Sequence, residues 1–415
     1  MVAGRTSCSR AGRGSRGDLP GADRPDGTAP ERIVRDPRVC SRSGRDRRDH
    51  EYEPDHRPWT RRGRPMTDDS KVLLRVEGAL ARATLNRPRA INALDHEMVL
   101  LLSDALDGWQ KDGSVVAVLI DGAGERGLCA GGDVRAMRDS ALAGDDRAAR
   151  FWRDEYLLNA RIARYGKPYI AFMDGVVMGG GVGVSAHGGV RVVTERSKVG
   201  MPETTIGFVP DVGGTYLLSR APGELGTHLA LTSTAVGPAD AVHVGLADHH
   251  VPSERLPELA VALTAIDSES AIAEVVARFV EEPAAGTLER DREWIDACYA
   301  SDDAEEIVAR LRAHGAPEAA EAAATIESRS PTSVKTTLAA LRRARRAGSL
   351  EEVLEQEYRV SCAALNGPDM AEGIRAQVVD KDRNPAWTPS TLAEVDDADV
   401  ERAFAPAPSG PLGLV

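Results

Sequence analysis

The feature that most constrains the fold is a series of short apolar runs that alternate with helical patterns. The runs lie at residues 115–122, 167–175 and 190–195, and the first two end at a glycine. Short uninterrupted runs of this kind are typical of strands that are buried on both faces of a parallel sheet. The alternation therefore predicts an α/β fold with functional loops at the carboxyl ends of its strands.

Helical patterns fill the segments between these runs. Apolar side chains recur at helical spacing after Asp95, a residue type that favours the N-cap position, and further helices are predicted at about residues 133–140 and 148–165. Alternating apolar residues at 71–85 predict a strand before the first helix.

The second part of the chain differs from the first. From about residue 222 to 346 strand patterns nearly disappear, and stretches rich in Ala, Glu and Leu show helical amphipathicity. We therefore expect an α/β core over residues 66–265 and a helical C-terminal region over residues 266–415.

Residues 1–65 are unlike the rest of the chain. They contain 16 Arg, no Lys and 10 acidic residues, for a net charge of +6, and almost no hydrophobic periodicity. Such a stretch buries too little apolar surface to offset its ordering entropy, so we expect a disordered leader. Its acidic residues argue against a targeting peptide. The lack of Lys and the presence of only two aromatic residues argue against an RNA-binding tail. Because Met66 directly precedes a strand pattern, we favour an over-extended gene start, with a dispensable disordered leader as the alternative.

The charge of the remaining residues limits the partners. They carry 36 basic and 54 acidic side chains, a net charge of −18. This balance argues against nucleic acid, since non-specific binding to nucleic acid requires a basic surface. No apolar run reaches the ~18 residues that a membrane span requires, so no membrane association is expected.

Cysteine and histidine usage gives no sign of a metal. The five cysteines are odd in number, scattered and never in CxxC spacing, which fits a reducing compartment and predicts a cytoplasmic protein. The nine histidines show no ligand spacing such as HExxH. We expect neither a metal ion nor a separate cofactor.

Two glycine-rich loops follow two of the predicted strands. Residues 127–137 read GLCAGGDVRAM, and residues 175–189 read GVVMGGGVGVSAHGG. Glycine lets the backbone approach a ligand closely, and N–H groups that open a helix form an anion site. Neither loop matches a nucleotide-binding motif. Two N–H donors from separate loops suit the developing oxyanion of a thioester carbonyl. The alternative is that the glycines only allow strands and helices to pack closely.

Four motifs in sequence order resemble the crotonase, or enoyl-CoA hydratase/isomerase, superfamily. They are LNRPRAINAL, AGGD, GVVMGGGVG and MPETTIGFVPDVGG, which together span about 130 residues. The resemblance implies a ClpP-like spiral core of repeated ββα units with a helical C-terminal region. It also implies an acyl-CoA substrate, of which coenzyme A is a part, and a homo-oligomer such as a trimer or hexamer.

In that superfamily one backbone N–H from each glycine loop binds the thioester carbonyl. The resemblance assigns these two donors to Gly132 and Gly180. It places the following residues along the coenzyme A portion or beside the carbonyl: Arg87, Arg89, Ala90, Ala130, Gly131 and Asp133.

The acidic residues distinguish between branches of the superfamily. Hydratases hold water between two glutamates; Glu203 matches the second, whereas Gly183 stands at the first. Three other features resemble the branch that hydrolyses 3-hydroxyisobutyryl-CoA in valine breakdown, namely Asp211, Glu155 and the long C-terminal segment at 330–389. 3-Hydroxypropionyl-CoA is an additional substrate to consider for that branch. In that branch the residues matching the following four contact the acyl portion: Glu155, Gly180, Glu203 and Asp211.

The chemistry of thioester hydrolysis points to a carboxylate. The chain has no Gly-x-Ser-x-Gly nucleophile motif, and Cys129 is interpreted as a small buried side chain. Glu203 would either activate water as a general base or attack the carbonyl to form a short-lived anhydride. Asp211 and Glu155 would bind the 3-hydroxyl group or position the water, and close carboxylates raise one pKa of the group.

Several alternatives stay open at this point. Glu203 could be a helix cap or a surface acid, Asp211 a turn residue, and Glu155 a solvated helix acid. Two rival functions compete with hydrolysis. One is hydration or isomerisation of an enoyl-CoA, which the glycine at position 183 disfavours. The other is non-catalytic binding of acyl-CoA or RNA, which the acidic charge disfavours.

Overall fold

The computed structural model describes residues 69–415 and the backbone of three short segments, 57–58, 60–61 and 64–65. Most of the predicted disordered leader lies outside the described residues. The strands are β1 (Arg57–Pro58), β2 (Thr60–Arg61), β3 (Arg64–Pro65), β4 (Val72–Glu77), β5 (Leu80–Leu85), β6 (Ala117–Gly122), β7 (Tyr169–Met173), β8 (Val176–Met178), β9 (Val190–Val193), β10 (Lys198–Gly200) and β11 (His249–His250).

Helices follow the strands throughout and dominate after residue 214. The α-helices are α1 (His96–Lys111), α2 (Val134–Ala143), α3 (Arg147–Ala163), α4 (Gly180–Gly183), α5 (Gly214–Leu218), α6 (Leu225–Thr232), α7 (Pro238–His243), α8 (Leu256–Thr264), α9 (Ser270–Ala277), α10 (Leu288–Tyr299), α11 (Ala304–His314), α12 (Pro317–Glu327), α13 (Pro331–Ala344), α14 (Leu350–Leu365), α15 (Pro368–Ile374) and α16 (Asp397–Ala403). Short 3-10 helices lie at Pro88–Ala90, Glu203–Ile206, Ser253–Arg255 and Leu392–Glu394, and a π-helix lies at Arg375–Val379.

The main sheet has the strand order β1-β4-β5-β6-β7-β9-β11 among the described residues. Strands β5, β6, β7, β9 and β11 run parallel to one another, whereas β4 is antiparallel to β5. The three strands predicted from continuous apolar runs are β6, β7 and β9, and all three are confirmed. The helix predicted after Asp95 is also confirmed, and the Asp95 carboxylate accepts the N–H of Met98 as an N-cap.

The segment predicted as one strand at residues 71–85 is instead a hairpin. The chain turns at Gly78, which has a φ of 61°, and Glu77 pairs with Leu80 across the turn. The single-strand prediction is wrong because the apolar alternation resumes unchanged after a two-residue turn. A period of two therefore does not reveal where the chain reverses.

Both faces of the main sheet are covered, which explains its continuous apolar runs. In β6, Val118 and Ile120 belong to one apolar cluster. Ala117 and Leu119 point the other way and belong to a second cluster, which contains residues of α8 and α9. The first cluster extends from Val72 to Leu412 and includes residues of both α1 and α14.

A smaller parallel sheet lies beside the main one. Strand β8 pairs with β10, and Cys129 forms an isolated parallel bridge with Val177 of β8. The order β7-β8-α4 and the order β9-β10 followed by the 3-10 helix at Glu203–Ile206 repeat one strand–strand–helix plan. No helix of the described residues combines the length and apolar character needed to cross a membrane.

Candidate active site

The smaller sheet brings the two glycine loops together. The N–H of Cys129 donates to the carbonyl oxygen of Val176 at 3.1 Å, and the N–H of Met178 donates to the carbonyl oxygen of Cys129 at 3.0 Å. Because these segments run parallel, both chains leave the sheet at the same end and turn into their glycines. A Cβ atom at Gly180 would lie 3.3 Å from the backbone nitrogen of Gly132. The predicted donor residues are therefore neighbours.

The two N–H groups are available for a ligand. Neither the N–H of Gly132 nor that of Gly180 has an acceptor within the described part of the chain. Gly180 is the first residue of α4, where an N–H has no partner inside the helix. Hydrogen bonds from Leu94 to the carbonyl of Gly131, and from Asp133 to the carbonyl of Leu94, hold the first loop in place. The pair has the form of an oxyanion site.

Two carboxylates approach the start of α4. A Cβ at Gly180 would lie 2.6 Å from Glu155 Oε1, and a Cβ at Gly179 would lie 2.6 Å from Glu203 Oε1. Larger residues at these positions would therefore collide with the acids. The glycines allow close strand–helix packing and also allow the acids to reach the donor pair.

Glu155 lies on α3 with 1% of its surface exposed, and its Oε1 has no hydrogen-bond partner among the described residues. The alternative of a solvated helix acid is therefore wrong. Burial and the nearby charge of Asp211 raise the pKa of Glu155 well above its ordinary value. The helical pattern at 148–165 contains more polar residues than one solvent face needs, and the sequence does not show which of them turn inward.

Glu203 begins the 3-10 helix at Glu203–Ile206 and is 6% exposed. Its Oε2 has no partner in the described chain, and its side chain caps no helix end, so neither the surface nor the cap alternative applies. Burial raises the pKa of Glu203 well above its ordinary value, and the negative charge of Asp211 raises it further.

Asp211 is both a turn residue and part of the acidic cluster. Its carbonyl oxygen accepts the N–H of Gly214 at 2.6 Å, as a turn requires. Its side chain is 5% exposed, and Oδ2 accepts the hydroxyl of Tyr156 at 2.7 Å. Burial raises the pKa of Asp211 to about 7, although the Tyr156 hydrogen bond opposes that rise. Because the charge of Asp211 acts on both Glu155 and Glu203, the three acids form one electrostatic cluster.

The loop after Asp211 is held by two residues that the sequence interpretation did not include. Val212 has a φ of 52°, a left-handed conformation that is strained for a β-branched residue. His187 Nε2 lies 2.7 Å from the carbonyl oxygen of Val212, and burial lowers the pKa of His187 to about 4, so this neutral ring donates. Glu357 of α14 accepts the N–H groups of Gly213 and Thr215 at 2.6 and 2.9 Å.

Tyr156 and Ser361 were missed as well. Ser361 Oγ lies 2.7 Å from the Tyr156 hydroxyl that donates to Asp211. Tyr156 therefore links Asp211 to α14 through two hydrogen bonds. A usable signal exists in the sequence: Glu357 and Ser361 are four residues apart on a helix face that is otherwise apolar. Polar residues at core positions need partners, and here the partner is the loop of the acidic cluster.

The residues predicted along coenzyme A lie at the edge of this site. Arg87 donates to the carboxylate of Asp133 at 3.0 Å, so both predicted residues are engaged with each other. Arg89 and Ala90 are exposed, and the Arg89 side chain forms no ion pair with the described residues. The N–H of Ala130 donates to the carbonyl of Ile91, which ties the first glycine loop to the loop of Arg87.

A cavity of about 350 Å³ lies beside the donor pair. Leu94 and Met137 form part of its lining, and a Cβ at Gly132 would lie 2.6 Å from the terminal methyl of Met137. The cations at this cavity are paired with acids, Lys71 with Asp95 and Glu97, and Arg147 with Asp145. Through Met137 the cavity adjoins Gly132.

The fold and the site define a class. A parallel sheet with strand–strand–helix repeats presents two free glycine N–H groups to buried carboxylates, as in the crotonase fold. The family model described as enoyl-CoA hydratase/isomerase matches residues 80–404, and the chain belongs to that family. The resemblance seen in the motifs is thereby confirmed.

Curated relatives carry a more specific name. The chain is 40% identical over 350 residues to the mitochondrial 3-hydroxyisobutyryl-CoA hydrolase of Gallus gallus, which covers 83% of this chain and 91% of that protein. It is 42% identical over 342 residues to the protein of the same name from Danio rerio, covering 81% and 89%. The corresponding protein of Homo sapiens is 40% identical over 341 residues, covering 80% and 88%.

Solved structures with the same fold carry other names. A carnitinyl-CoA dehydratase from Mycobacterium thermoresistibile is 54% identical, with a TM-score of 0.79, and covers 82% of this chain and 98% of that one. An enoyl-CoA hydratase from Rhodobacter sphaeroides is 40% identical, with a TM-score of 0.77, and covers 83% and 99%. Similarity alone thus leaves hydrolysis, dehydration and hydration to be compared against the site.

Proposed function

We propose that this protein hydrolyses the thioester of 3-hydroxyisobutyryl-CoA to the free hydroxy acid and coenzyme A, a step of valine catabolism, with 3-hydroxypropionyl-CoA as a further substrate. The observation that carries the proposal is the acidic cluster of Glu155, Glu203 and Asp211 around the paired N–H groups of Gly132 and Gly180. The curated relatives named as hydrolases support the same reaction.

Crowding at position 183 argues against the rival hydration reaction. The sequence resemblance places the first of two hydratase glutamates there, and this chain has Gly183. A Cβ at this position would lie 2.7 Å from Val212 Cβ and 2.9 Å from Asn159 Nδ2. Contacts that close do not occur for real side chains, so the backbone around Gly183 is built for glycine. The site therefore lacks the first of the two water-holding glutamates and has Asp211 as a further acid.

The paired glycines supply the electrostatic part of the reaction. With the thioester oxygen between the N–H groups of Gly132 and Gly180, the carbonyl carbon is polarised, and the oxyanion of the tetrahedral intermediate is stabilised. Loss of one such donor typically costs about 2.7–4 kcal/mol of barrier. The C–S bond then breaks, and the thiolate of coenzyme A leaves and takes up a proton.

Glu203 supplies the base or the nucleophile. As a general base its carboxylate removes a proton from water, whose oxygen attacks the carbonyl carbon; as a nucleophile it forms an anhydride that water then cleaves. Both routes need ionised Glu203. Since the cluster includes a group with a pKa of about 7, Asp211, protons can move within it near neutral pH.

Asp211 and Glu155 would bind the acyl portion. A buried group that pairs with a substrate hydroxyl discriminates strongly against substrates that lack this hydroxyl, because it is then left unpaired. Arg87, Arg89 and Ala90 would lie along coenzyme A. Arg89 is exposed and forms no ion pair with the described residues, so it is suited to a phosphate group.

The compartment and the oligomeric state of the protein are also part of the proposal. The free cysteines Cys129, Cys298 and Cys362 support a reducing compartment, and we propose a cytoplasmic location, whereas the curated relatives are named as mitochondrial. A homo-oligomer, as a trimer or hexamer, is proposed from the family resemblance.

Thiol release tests the proposed reaction. Purified protein should release thiol from 3-hydroxyisobutyryl-CoA in a direct titration, while crotonyl-CoA should keep its enoyl absorbance. Glu203→Gln should lower kcat/KM for thiol release at least ~100-fold, the usual contribution of a general base. Absence of thiol release, or a Glu203→Gln variant as fast as the parent, would refute the proposal. Loss of enoyl absorbance would favour hydration.

A further inference from the structure

Asn159 lies next to the acidic cluster and has no role in the reaction described so far. It follows Glu155 by four residues on α3, so both side chains leave the same face of the helix. Glu155 reaches Gly180 at the start of α4, and Asn159 reaches Gly183 at its end, where the amide nitrogen would lie 2.9 Å from a Cβ. The Cβ of Val212, the residue after Asp211, would lie 2.7 Å from the same added Cβ at Gly183.

The amide of Asn159 is buried and unsatisfied. The residue is 0% exposed, and neither Nδ2 nor Oδ1 has a hydrogen-bond partner among the described residues. An unpaired buried polar group destabilises the folded state, and native structures rarely keep one without a reason. An aliphatic side chain of the same size would avoid this cost. The amide therefore indicates a missing partner rather than a packing role.

The chemistry of the amide limits that partner. A carboxamide offers two N–H donors and one carbonyl acceptor, and a hydroxyl group offers one donor and one acceptor. Glu155 lies one helical turn before Asn159, and Asp211 directly precedes Val212. These two acids are the ones proposed to bind the acyl portion. A hydroxyl bound between them and Asn159 would satisfy the amide and one carboxylate together.

We propose that Asn159 is a specificity-determining residue that binds the hydroxyl group of a 3-hydroxyacyl thioester. This inference rests on the proposed function and names a contact that would make the hydrolysis selective for hydroxylated thioesters. It also accounts for glycine at position 183, because any side chain there would displace the amide from its place beside Val212.

The test compares two thioesters on two variants. Asn159→Leu keeps the size of the side chain and removes its polar atoms, and isobutyryl-CoA is the substrate without its hydroxyl group. We expect the ratio of kcat/KM for 3-hydroxyisobutyryl-CoA to that for isobutyryl-CoA to fall at least tenfold in Asn159→Leu. Asn366→Leu, the same chemical change at the end of α14, should keep the ratio of the parent.

The outcomes separate this inference from the proposed function. An unchanged ratio in Asn159→Leu would overturn the inference and assign the amide to a buried water or to structure. If Asn159→Leu does not fold, Asn159→Ala is measured in the same way, with the same ratio expected and the same result overturning the inference. Equilibrium binding of both thioesters is measured in parallel by calorimetry. A parent that releases no thiol, yet prefers the hydroxylated thioester through Asn159, would refute only the proposed function.

Discussion

At the scale of single residues, Asp211 connects the geometry of the site to its protonation. Its backbone closes a turn, its side chain accepts the Tyr156 hydroxyl, and its charge raises the pKa of two neighbouring glutamates. A turn residue alone would tolerate asparagine, since Asn also suits turns. A member of the acidic cluster would not.

The pH profile of Asp211→Asn distinguishes these roles. Removing the negative charge makes Glu203 easier to ionise, so the acidic limb of the kcat/KM profile should move to lower pH. At pH 8 we expect kcat/KM to fall at least ~10-fold, because a substrate contact is lost. Asp369→Asn, a buried aspartate bonded to Ser330 and Thr388, is the control and should leave the limb in place. If the acidic limb of the kcat/KM profile does not move in Asp211→Asn, Asp211 acts only as a turn residue.

Thermal unfolding of the same variant gives a second readout. The pKa of Asp211 rises from 3.8 to about 7 on folding, so its stabilising contribution is present below pH 3.8 and is lost as pH rises towards 7. Asparagine does not ionise. Relative to the parent, Asp211→Asn should therefore gain in Tm between pH 5 and pH 8.

At the scale of elements, α14 belongs to the site although it lies about 150 residues after the acids of the motif. Glu357 accepts the N–H of Gly213 and both the N–H and the hydroxyl of Thr215, at the start of α5. Burial nevertheless raises the pKa of Glu357 to about 8. The strained conformation at Val212 persists because this helix and His187 hold the loop from two sides.

Glu357 is therefore expected to act as a positioning residue. In Glu357→Gln one amide N–H₂ group must face backbone N–H donors, so we expect a loss of about 1–3 kcal/mol in the free energy of unfolding. The loop of Asp211 should shift as well, lowering kcat for thiol release with a shifted pH profile.

A matched control lies two residues earlier on the same helix. Glu355 is buried and accepts the N–H groups of Leu412, Gly413 and Leu414, far along the chain from the acidic cluster. Glu355→Gln should lose similar stability in urea unfolding but keep the kcat and the pH profile of the parent. If both variants lose activity equally, the role of Glu357 is purely structural.

At the scale of the whole molecule, the α/β core and the helical region share their interior. One apolar cluster contains Val118 of the main sheet, Trp152 of α3 and Leu354 of α14, and it extends to Leu412. The proposed division near residue 265 thus falls between α8 and α9, which both pack on the second cluster.

Shared packing predicts one cooperative unfolding transition for the described part of the chain. Tryptophan fluorescence reports on both regions, through Trp109 and Trp152 in one and Trp294 in the other, and circular dichroism reports on the helices. In urea the two signals should give coincident curves, because loss of the C-terminal helices would expose the core beneath them. Two separate transitions would show that residues 266–415 fold independently.

The sequence by itself determined the fold class, because the burial of strands leaves a local pattern of apolar residues. Motif resemblance indicated Gly132 and Gly180 as the proposed N–H donors. It also indicated Glu203, Asp211 and Glu155. The sequence pattern did not reveal the hairpin turn at Gly78, because the alternation of apolar residues continues across the turn.

The tertiary structure alone decided how the acids are surrounded. Burial of Glu155, the partners of Asp211 and the loop contacts of Glu357 depend on elements far apart in the chain. The same holds for the unpaired amide of Asn159, which looks like any polar residue of an amphipathic helix until α4 and Val212 enclose it. Desolvation and charge proximity are properties of three-dimensional neighbours, and local sequence patterns do not specify them.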